Sequence, residues 1–377
     1  MYLKAISIQN YRNLEPVSMA LGQGFWAVLG ENGQGKSNLL EAVSVLCMGR
    51  SRKADRDRDL VRFGESFMRL EGRFSREQRG DLESVVRVSE EGKELLLFGS
   101  AVTRLAKFIG EASCVLFNSN DVEMVLGEPS GHRLFLNEAL GQVNQAYLFD
   151  LGRCRRALEQ KNRALKDVRK GYAPASSIGI WDTQLSQHGG RVCARRDAFL
   201  RRLGDEAARL YTRLSGGAEE LETRYAPSAG MPDDPQRWTE QIAERIAERK
   251  QDEILRGIAL VGPQRDDFTM TLDGADVRSF ASRGQARTAA LALRLAQCRI
   301  AFEDTGEWPI VLLDDVFAEL DVSRRQLVAE LAGEAQQVFA SSASESDLPS
   351  EMQPAARVIR VCRGSIAIEE NAGAVQA

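Results

Sequence analysis

Histidine, paired cysteines and long apolar runs are scarce in this 377-residue sequence. Its six cysteines are scattered singly without a CxxC pair, which argues against a zinc site or a disulfide framework and favours a reducing compartment. No apolar stretch approaches the roughly 18 residues that span a bilayer, and the first residues lack the apolar core of a signal peptide. We therefore expect a cytoplasmic protein without a membrane partner.

An excess of charge of one sign is also absent. The sequence has 50 Lys and Arg against 54 Asp and Glu, which gives a net charge of −4. This balance excludes a uniformly basic coat for nucleic acid but not a local basic face. With 43% hydrophobic residues the chain can bury a core, and its length favours one large domain that carries a second unit.

Apolar periodicity predicts strands and turns around one helix in the first third of the chain. In the middle third the spacing changes to three and four residues, which predicts one long helix from about 140 to 168. A break at 171–174 and a second helix, capped by Ser176 or Ser177, predict an antiparallel helical hairpin. The polar residues 215–250 are interpreted as the segment that returns from the hairpin.

The last third again alternates strands and helices. We expect a hairpin over 268–280, a helix over 285–302, buried strands at 309–313 and 337–340, and a terminal hairpin over 356–369. The helical hairpin is therefore predicted to be an insertion into a split α/β domain.

A glycine-rich stretch between a predicted strand and a predicted helix fits the phosphate-binding pattern GxxxxGK[ST] without a mismatch. It consists of Gly30, Glu31, Asn32, Gly33, Gln34, Gly35, Lys36 and Ser37. Its glycines let backbone N–H groups face a phosphate, and the following helix directs its positive end at the same anion. Lys36 is expected to neutralise the β- and γ-phosphates, and Ser37 to hold Mg²⁺. The sequence thus predicts a nucleotide site.

A hydrolytic nucleotide site also needs carboxylates, and two follow a buried strand. Residues 310–313 are apolar, and Asp314 and Asp315 come directly after them. We expect Asp314 to bind Mg²⁺, directly or through water, and Asp315 to polarise the attacking water. Lys36 and Asp315 are therefore the predicted catalytic residues.

A third motif precedes the helix over 285–302. Ser282, Arg283, Gly284 and Gln285 resemble the SxGQ signature of ABC-type ATPases, although alone they could be a helix cap. The order of loop, signature, acidic strand and residues 318–321 follows the ABC pattern. In that class the signature completes the site of the opposite subunit, so the resemblance implies that ATP binds between two protomers.

Three kinds of ABC-type protein compete. A transporter subunit normally has a histidine after the acidic strand, but both histidines here, His132 and His188, precede the signature. An SMC protein separates its halves by hundreds of coiled-coil residues, whereas the helical part of this insertion spans about 80. A short hairpin arm instead fits a recombination-repair ATPase.

Motifs along nearly the whole chain resemble the RecF family of bacterial DNA repair ATPases. They are residues 8–14, the phosphate loop, residues 115–129, the GPQRDD element at 262–267 and residues 312–321. The resemblance implies an α/β ABC-type ATPase head with mixed sheets and flanking helices, and an inserted helical-hairpin arm. We expect the head in 1–130 and 251–377, the latter with the signature, and the arm in 131–250.

The resemblance also implies a function in DNA replication, repair and the SOS response. Arg12 and Asn13 are expected to contact the nucleotide, and ATP to drive dimerisation on DNA. The protein would help to load recombinase at gaps and junctions together with mediator proteins. We expect a weak, DNA-stimulated ATPase; the alternative is an ATP-clamp scaffold with negligible turnover.

Basic residues are concentrated in three segments. Residues 151–170 have eight basic against two acidic residues, residues 191–202 five against one, and residues 50–62 six against three. Such segments could follow a phosphate backbone, although charged runs are often only solvated helix faces. The predicted contacts are Arg52, Lys53, Arg56, Arg155, Arg156, Arg163, Arg195 and Arg196. No base-reading pattern is visible, so single-stranded, double-stranded or gapped DNA would bind independently of sequence.

Overall fold

In a computed structural model, the chain forms two compact units, and each is described by itself. The first contains residues 1–121 and 294–377, and the second contains residues 122–293. The structure describes residues 1–217, 219–349, 352 and 357–369, without the side chain of Glu319. Ala356, the predicted start of the terminal hairpin, lies outside the described residues. The functional division into head and arm near residues 130 and 250 stays a prediction.

The described residues contain fifteen strands and ten α-helices. The strands are β1 (Tyr2–Gln9), β2 (Val17–Ala20), β3 (Gly24–Leu29), β4 (Met68–Ser75), β5 (Leu82–Ser89), β6 (Gly92–Leu97), β7 (Ser100–Ala101), β8 (Cys114–Asn118), β9 (Leu221–Ala226), β10 (Asp267–Leu272), β11 (Ala275–Asp276), β12 (Ile310–Asp314), β13 (Gln337–Ser342), β14 (Arg357–Cys362) and β15 (Ser365–Glu369). The helices are α1 (Lys36–Met48), α2 (Leu105–Phe108), α3 (Glu123–Leu126), α4 (Pro129–Val143), α5 (Gln145–Arg169), α6 (Gly179–Ser215), α7 (Trp238–Arg256), α8 (Val277–Phe280), α9 (Arg283–Thr305) and α10 (Val322–Ala332).

The first unit contains two six-stranded sheets. One has the order β2-β1-β4-β5-β6-β7 with antiparallel neighbours. The other has the order β15-β14-β3-β13-β12-β8, and only β15 in it is antiparallel to its neighbour. Helix α1 contacts strands of both sheets, and its apolar residues from Leu39 to Met48 are buried. The predicted α/β fold with mixed sheets and flanking helices is therefore confirmed.

The central parallel strands are buried, as expected for a sheet that is covered on both faces. All five residues of β12 and all six of β13 are buried. Because the strands are parallel, their carboxyl ends meet at one edge of the sheet: Asp314 is in register with Ser341 on one side and with Asn118 on the other. This edge is the usual place for ligands in open α/β sheets.

The second unit is mainly helical. Helices α5 and α6 pack along each other, α7 packs against both, and the sheet β11-β10-β9 packs on α6. The core beneath α7 includes Cys154, Leu185, Trp238 and Ile242. The predicted helical hairpin is thus confirmed. Within the described residues, no helix is long and apolar enough to cross a membrane.

Several local predictions in the second unit are wrong. The long helix predicted from 140 is two helices, because Asn144 ends α4 and caps α5 by accepting a hydrogen bond from Tyr147 N at 2.8 Å. Ser176 and Ser177 do not cap α6; both lie in a short 3-10 turn, and Ser177 Oγ donates to Pro174 O. Residues 215–250, which were interpreted as the return from the hairpin, contain β9 and most of α7. Residues 277–280 form the helical turn α8 rather than a strand.

Candidate nucleotide site

The phosphate loop connects the end of β3 to the start of α1. Gly33 and Gly35 have φ of 78° and 120°, a region that residues with a side chain rarely adopt. A Cβ at Gly35 would also lie 2.8 Å from Leu14 Cδ2. The buried Lys36 ammonium donates to the carbonyl oxygens of Gly30 at 2.7 Å and Glu31 at 3.2 Å, so the loop curls around its own cation. Positive φ values at two glycines let a loop of this kind direct its backbone N–H groups at an anion, and the binding of a phosphate here stays a prediction.

Asp314, the last residue of β12, contacts the end of the phosphate loop. Its Oδ1 accepts hydrogen bonds from Ser37 Oγ at 2.7 Å and from Ser341 Oγ at 3.0 Å. Its Oδ2 lies 3.3 Å from the Lys53 ammonium. Two residues 277 positions apart in sequence, both predicted to hold Mg²⁺, are therefore in direct contact.

Asp315 follows in a left-handed conformation, with φ of 54°. Its backbone N–H donates to Ser341 Oγ at 2.9 Å, which turns the chain sharply at the strand end. Burial raises the pKa of the Asp315 carboxyl, and the neighbouring Asp314 raises it further, while the Lys36 ammonium opposes both. A carboxyl with a raised pKa and partial exposure is suited to exchanging a proton with a water molecule.

The donor set fits a magnesium ion bound together with a nucleotide. Mg²⁺ prefers oxygen ligands and is usually held by one or two protein groups plus phosphate oxygens and water. The Ser37 hydroxyl and the Asp314 carboxylate are such groups, and they already touch. Among the described residues, no three His, Cys, Asp or Glu side chains are gathered for a metal, so an all-protein metal cage is not offered.

Arg12 and Asn13 lie in a strained turn after β1, in which Asn10 and Arg12 have φ of 53° and 52°. Asn13 Nδ2 donates to Gln34 O of the loop at 3.3 Å. The Arg12 guanidinium forms a two-pronged ion pair with Glu41 on α1, at 3.0 and 2.9 Å. The turn is thus fixed to both the loop and the helix that follows it.

Glu41 is a residue that the sequence reasoning missed. It is buried on α1 between Leu40 and Ala42, and an acid next to apolar residues was the available signal. Burial alone would raise the pKa of Glu41, but hydrogen bonds from Arg12 and Ser51 hold the pKa below its ordinary value.

The signature residues begin α9 in the second unit. Ser282 Oγ accepts from Gln285 N at 3.2 Å, while Gln285 Oε1 accepts from Ser282 N at 2.7 Å, which is a reciprocal capping box. Ser282, Arg283 and Gly284 are exposed, and so is the ring of the preceding Phe280. The cap and the signature interpretations are therefore compatible, because the cap fixes an exposed helix N-terminus.

The predicted DNA contacts fall into different environments. Arg155, Arg156 and Arg163 are exposed on α5, and Arg56 is exposed after α1. Arg52 is partly buried, and Lys53 pairs with Asp314. Arg195 donates to Asp150 at 2.6 Å and is half-buried.

Arg196 was predicted to contact DNA, and the structure contradicts this prediction. Its side chain is only 2% exposed and donates to Pro263 O at 2.8 Å and Asn137 Oδ1 at 3.0 Å. A side chain enclosed in this way cannot reach a phosphate backbone. Lys161, which contributes to the basic count of residues 151–170, is likewise buried, between Asp182 and Glu253.

A strand–loop–helix phosphate site, an acidic parallel strand beside it and a capped signature helix together define an ATPase of the ABC class. The model of the RecF/RecN/SMC N terminal domain family matches residues 2–365. The chain is 34% identical over 370 residues to the DNA replication and repair protein RecF of Geobacillus thermodenitrificans, covering 97% of this chain and 99% of that protein. It is 35% identical over 377 residues to RecF of Lactobacillus delbrueckii subsp. bulgaricus, covering 99% and 98%. The chain belongs to the RecF family.

Solved structures agree with this assignment. The chain is similar to the recombination mediator protein RecF with ATP, with a TM-score of 0.90, 29% identity and 98% of both chains covered. A TM-score of 0.56 at 15% identity to an Smc head bound to the C-winged helix domain of ScpA, over 98% of this chain and 97% of that one, supports the fold alone. The predicted family, fold and repair class are confirmed, and the transporter interpretation is set aside.

Proposed function

We propose that this protein is a DNA-binding ATPase of recombinational repair, which dimerises around ATP on DNA and helps mediator proteins to load recombinase at gaps or junctions. The 2.7 Å contact between Ser37 Oγ and Asp314 Oδ1, next to a preformed phosphate loop, is the observation that carries the proposal. The membership of the RecF family and the likeness to RecF bound to ATP support it. The cytoplasmic location expected from the sequence stays a prediction.

Each side chain of the nucleotide site has a distinct proposed role. The loop residues 30–37 surround the phosphates with backbone N–H groups, and Lys36 turns its ammonium from the loop carbonyls towards the β- and γ-phosphates. Ser37 and Asp314 hold Mg²⁺, which would neutralise developing charge on the phosphate oxygens. Asp315 orients water and accepts its proton, and Arg12 and Asn13 line the site from the β1 turn.

The signature is proposed to act across a dimer. Ser282, Arg283, Gly284 and Gln285 present an exposed, capped helix N-terminus, whose backbone N–H groups and partial positive charge suit a γ-phosphate. The exposed Phe280 ring beside them is 77% accessible, as expected for a residue that a second copy covers.

The test is the ATP-dependent change of mass in solution, measured by light scattering. Lys36→Ala should lose ATP binding and therefore dimerisation. Ser282→Arg should keep ATP binding by the monomer but fail to dimerise, because the arginine obstructs the phosphate contact. Arg224→Ala, an exposed arginine of the same unit that pairs with Glu222, is the control and should dimerise normally. Dimerisation of the Ser282 variant with ATP would contradict a site shared between copies.

DNA binding is proposed for the exposed arginines of α5, with Arg52, Lys53 and Arg56 of the first unit as further contacts. Replacing Arg155, Arg156 and Arg163 by alanine should weaken binding to all DNA forms and reduce the slope of log K against log salt by roughly 0.9 for each DNA phosphate that is no longer neutralised. The control replaces three arginines of the same unit that already pair with acids, Arg224, Arg245 and Arg249. Equal weakening in both variants would argue against a specific DNA face.

The proposed function includes hydrolysis of ATP. A weak, DNA-stimulated ATPase should release phosphate faster with DNA, and Asp315→Asn should abolish this release while the ATP dimer persists. A phosphate-release assay with and without DNA decides between this enzyme and an ATP clamp with negligible turnover.

A further inference from the structure

A buried acid lies at the centre of a hydrogen-bond network behind the nucleotide site. Glu41 is on α1, four residues after Ser37 and therefore on the same face of the helix. Its side chain is about as buried as its apolar neighbours Leu40 and Ala42. An unpaired carboxylate in such a place would be costly, so its partners determine what it does.

The first partner is Arg12. The Nε and Nη2 groups donate to the two Glu41 oxygens, and Nη1 donates to Asp59 O at 3.0 Å. A guanidinium has five N–H groups in one plane, so these three bonds fix the plane and leave two N–H groups for another anion. The next residue, Asn13, donates to Gln34 O of the phosphate loop at 3.3 Å, which places the turn beside that loop.

The second partner is Ser51, which donates its hydroxyl proton to Glu41 Oε1. The same Oγ accepts the backbone N–H groups of Lys53 at 2.9 Å and Ala54 at 3.1 Å, which fixes the turn after α1. The side chain of Lys53 then reaches back to Asp314 at 3.3 Å. One carboxylate therefore holds two cationic residues, Arg12 directly and Lys53 through Ser51.

We propose that Glu41 is a positioning residue of the ATP site: it orients the Arg12 guanidinium, and with it the turn that carries Lys53, towards the nucleotide phosphates. The proposal rests on the proposed nucleotide function of the loop. It also gives Lys53, which is proposed above as a DNA contact, a place beside the nucleotide site, since its ammonium lies 3.3 Å from Asp314 Oδ2.

The test compares Glu41→Gln with Glu307→Gln. Glutamine keeps the shape of Glu41 but loses its charge and one acceptor. Glu307 is also a buried glutamate of the first unit, but it precedes the amino end of β12, whereas Asp314 lies at the carboxyl end. Titration with a fluorescent ATP analogue should give a Kd about tenfold higher for Glu41→Gln, as is typical when a supporting partner of a ligand-binding group is removed. The control should be unchanged, and melting temperatures of both variants report on folding.

A double-mutant cycle separates positioning from general support. If Glu41 acts mainly through Arg12, Glu41→Gln should cost less ATP affinity in an Arg12→Ala background than in the wild type, and the cost that remains is the part that passes through Ser51 and Lys53. Full additivity, or a Kd for Glu41→Gln within twofold of wild type, would overturn the inference. Should Glu41→Gln fail to fold, Ser51→Ala leaves the Arg12–Glu41 ion pair in place and removes the hydrogen bond to Glu41 together with the two that Ser51 Oγ accepts from Lys53 N and Ala54 N. It should raise the Kd about threefold; no rise would equally overturn the inference.

The failure of this inference is distinguishable from failure of the proposed function. Lys36→Ala tests the phosphate loop itself, without Glu41. If Lys36→Ala abolishes ATP binding while Glu41→Gln does not change it, only the positioning role is wrong. If Lys36→Ala leaves ATP binding intact, the nucleotide site is wrong and the inference with it.

Discussion

Replacing Arg196 by methionine is expected to destabilise the second unit strongly while leaving ATP binding in place. The Arg196 side chain joins three helices and the GPQRDD element, through Tyr147 Oη at 3.1 Å, Asn137 Oδ1 at 3.0 Å and Pro263 O at 2.8 Å. It also lies 3.3 Å from Asp266 Oδ2. Methionine has a similar length, so the loss is mainly that of charge and hydrogen bonds.

The size of the destabilisation follows from Asp266, which stays buried when Arg196 is replaced. Asp266 is 1% exposed and would keep its bonds from Ser228 N and Tyr225, but lose its cation. Removing one member of a buried ion pair costs about 3–5 kcal/mol of unfolding free energy. For a domain of about 150–250 residues each kcal/mol shifts Tm by about 2–4 °C, so we expect a fall of roughly 6–20 °C.

Urea unfolding followed by tryptophan fluorescence is the assay. Trp238 is buried in the same unit, with its ring 5.9 Å from that of Tyr225, and therefore reports on this region. Arg155→Met is the control on an exposed arginine and should change the free energy by less than about 0.5 kcal/mol. The reasoning would be refuted if Arg196→Met were within about 1 kcal/mol of wild type, which is near the precision of such extrapolations. Normal stability combined with weakened DNA binding would restore the sequence prediction of a DNA contact.

Three further outcomes are expected. Lys161→Met should lower the free energy of unfolding by about 3 kcal/mol, because it leaves the buried Glu253 without its cation, and Glu253→Gln in the same chain should recover part of that loss in urea unfolding. Titration of the native protein with a thiol reagent at pH 8 should modify one cysteine rapidly, Cys362, because it is exposed and the other five are buried. Burial also makes these thiols poor nucleophiles; it raises the pKa of Cys154 to about 12. Rapid modification of a second thiol would contradict the burial. Because the pKa of Glu41 is lowered in the folded protein, its ionised form stabilises the fold above its ordinary value of 4.5, and this contribution is lost as the pH falls through the lower folded value. The difference in unfolding free energy between wild type and Glu41→Gln should therefore be constant from about pH 6 to 8 and shrink below pH 4.5. A difference that grows on acidification would show that the pKa of Glu41 is raised, and not lowered, by folding.

The nucleotide site could be predicted because its chemistry is local. The loop residues are contiguous, and the strand before them and the helix after them have clear apolar patterns. Asp314 and Asp315 are equally recognisable, since two acids that end a fully apolar strand have few structural explanations. The sequence could not supply the distance from Ser37 to Asp314, because their contact depends on the parallel pairing of β12 and β3 with β13.

The second unit was harder to predict because its signals depend on partners that are distant in sequence. Arg196 resembles its exposed neighbours, and its burial depends on acceptors 49 to 70 positions away. The apolar spacing continues across Asn144, so the break between α4 and α5 leaves the pattern intact. Helix α7 did have a signal, Trp238, Ile242 and Ile246 at intervals of four, but its many charges concealed it.

The order of strands in the parallel sheet also determines when the site can form during synthesis. Strand β3, which leads into the phosphate loop, lies between β13 and β14, and both come from the last fifth of the chain. At about 5–20 residues per second, a ribosome needs roughly 15–60 s to make the 300 or so residues between the loop and these strands. During that time the loop has neither its neighbouring strands nor Asp314. The complete site therefore forms only after β12, β13 and β14 have been made, and a truncated product that lacks β12 and β13 would have an incomplete nucleotide site.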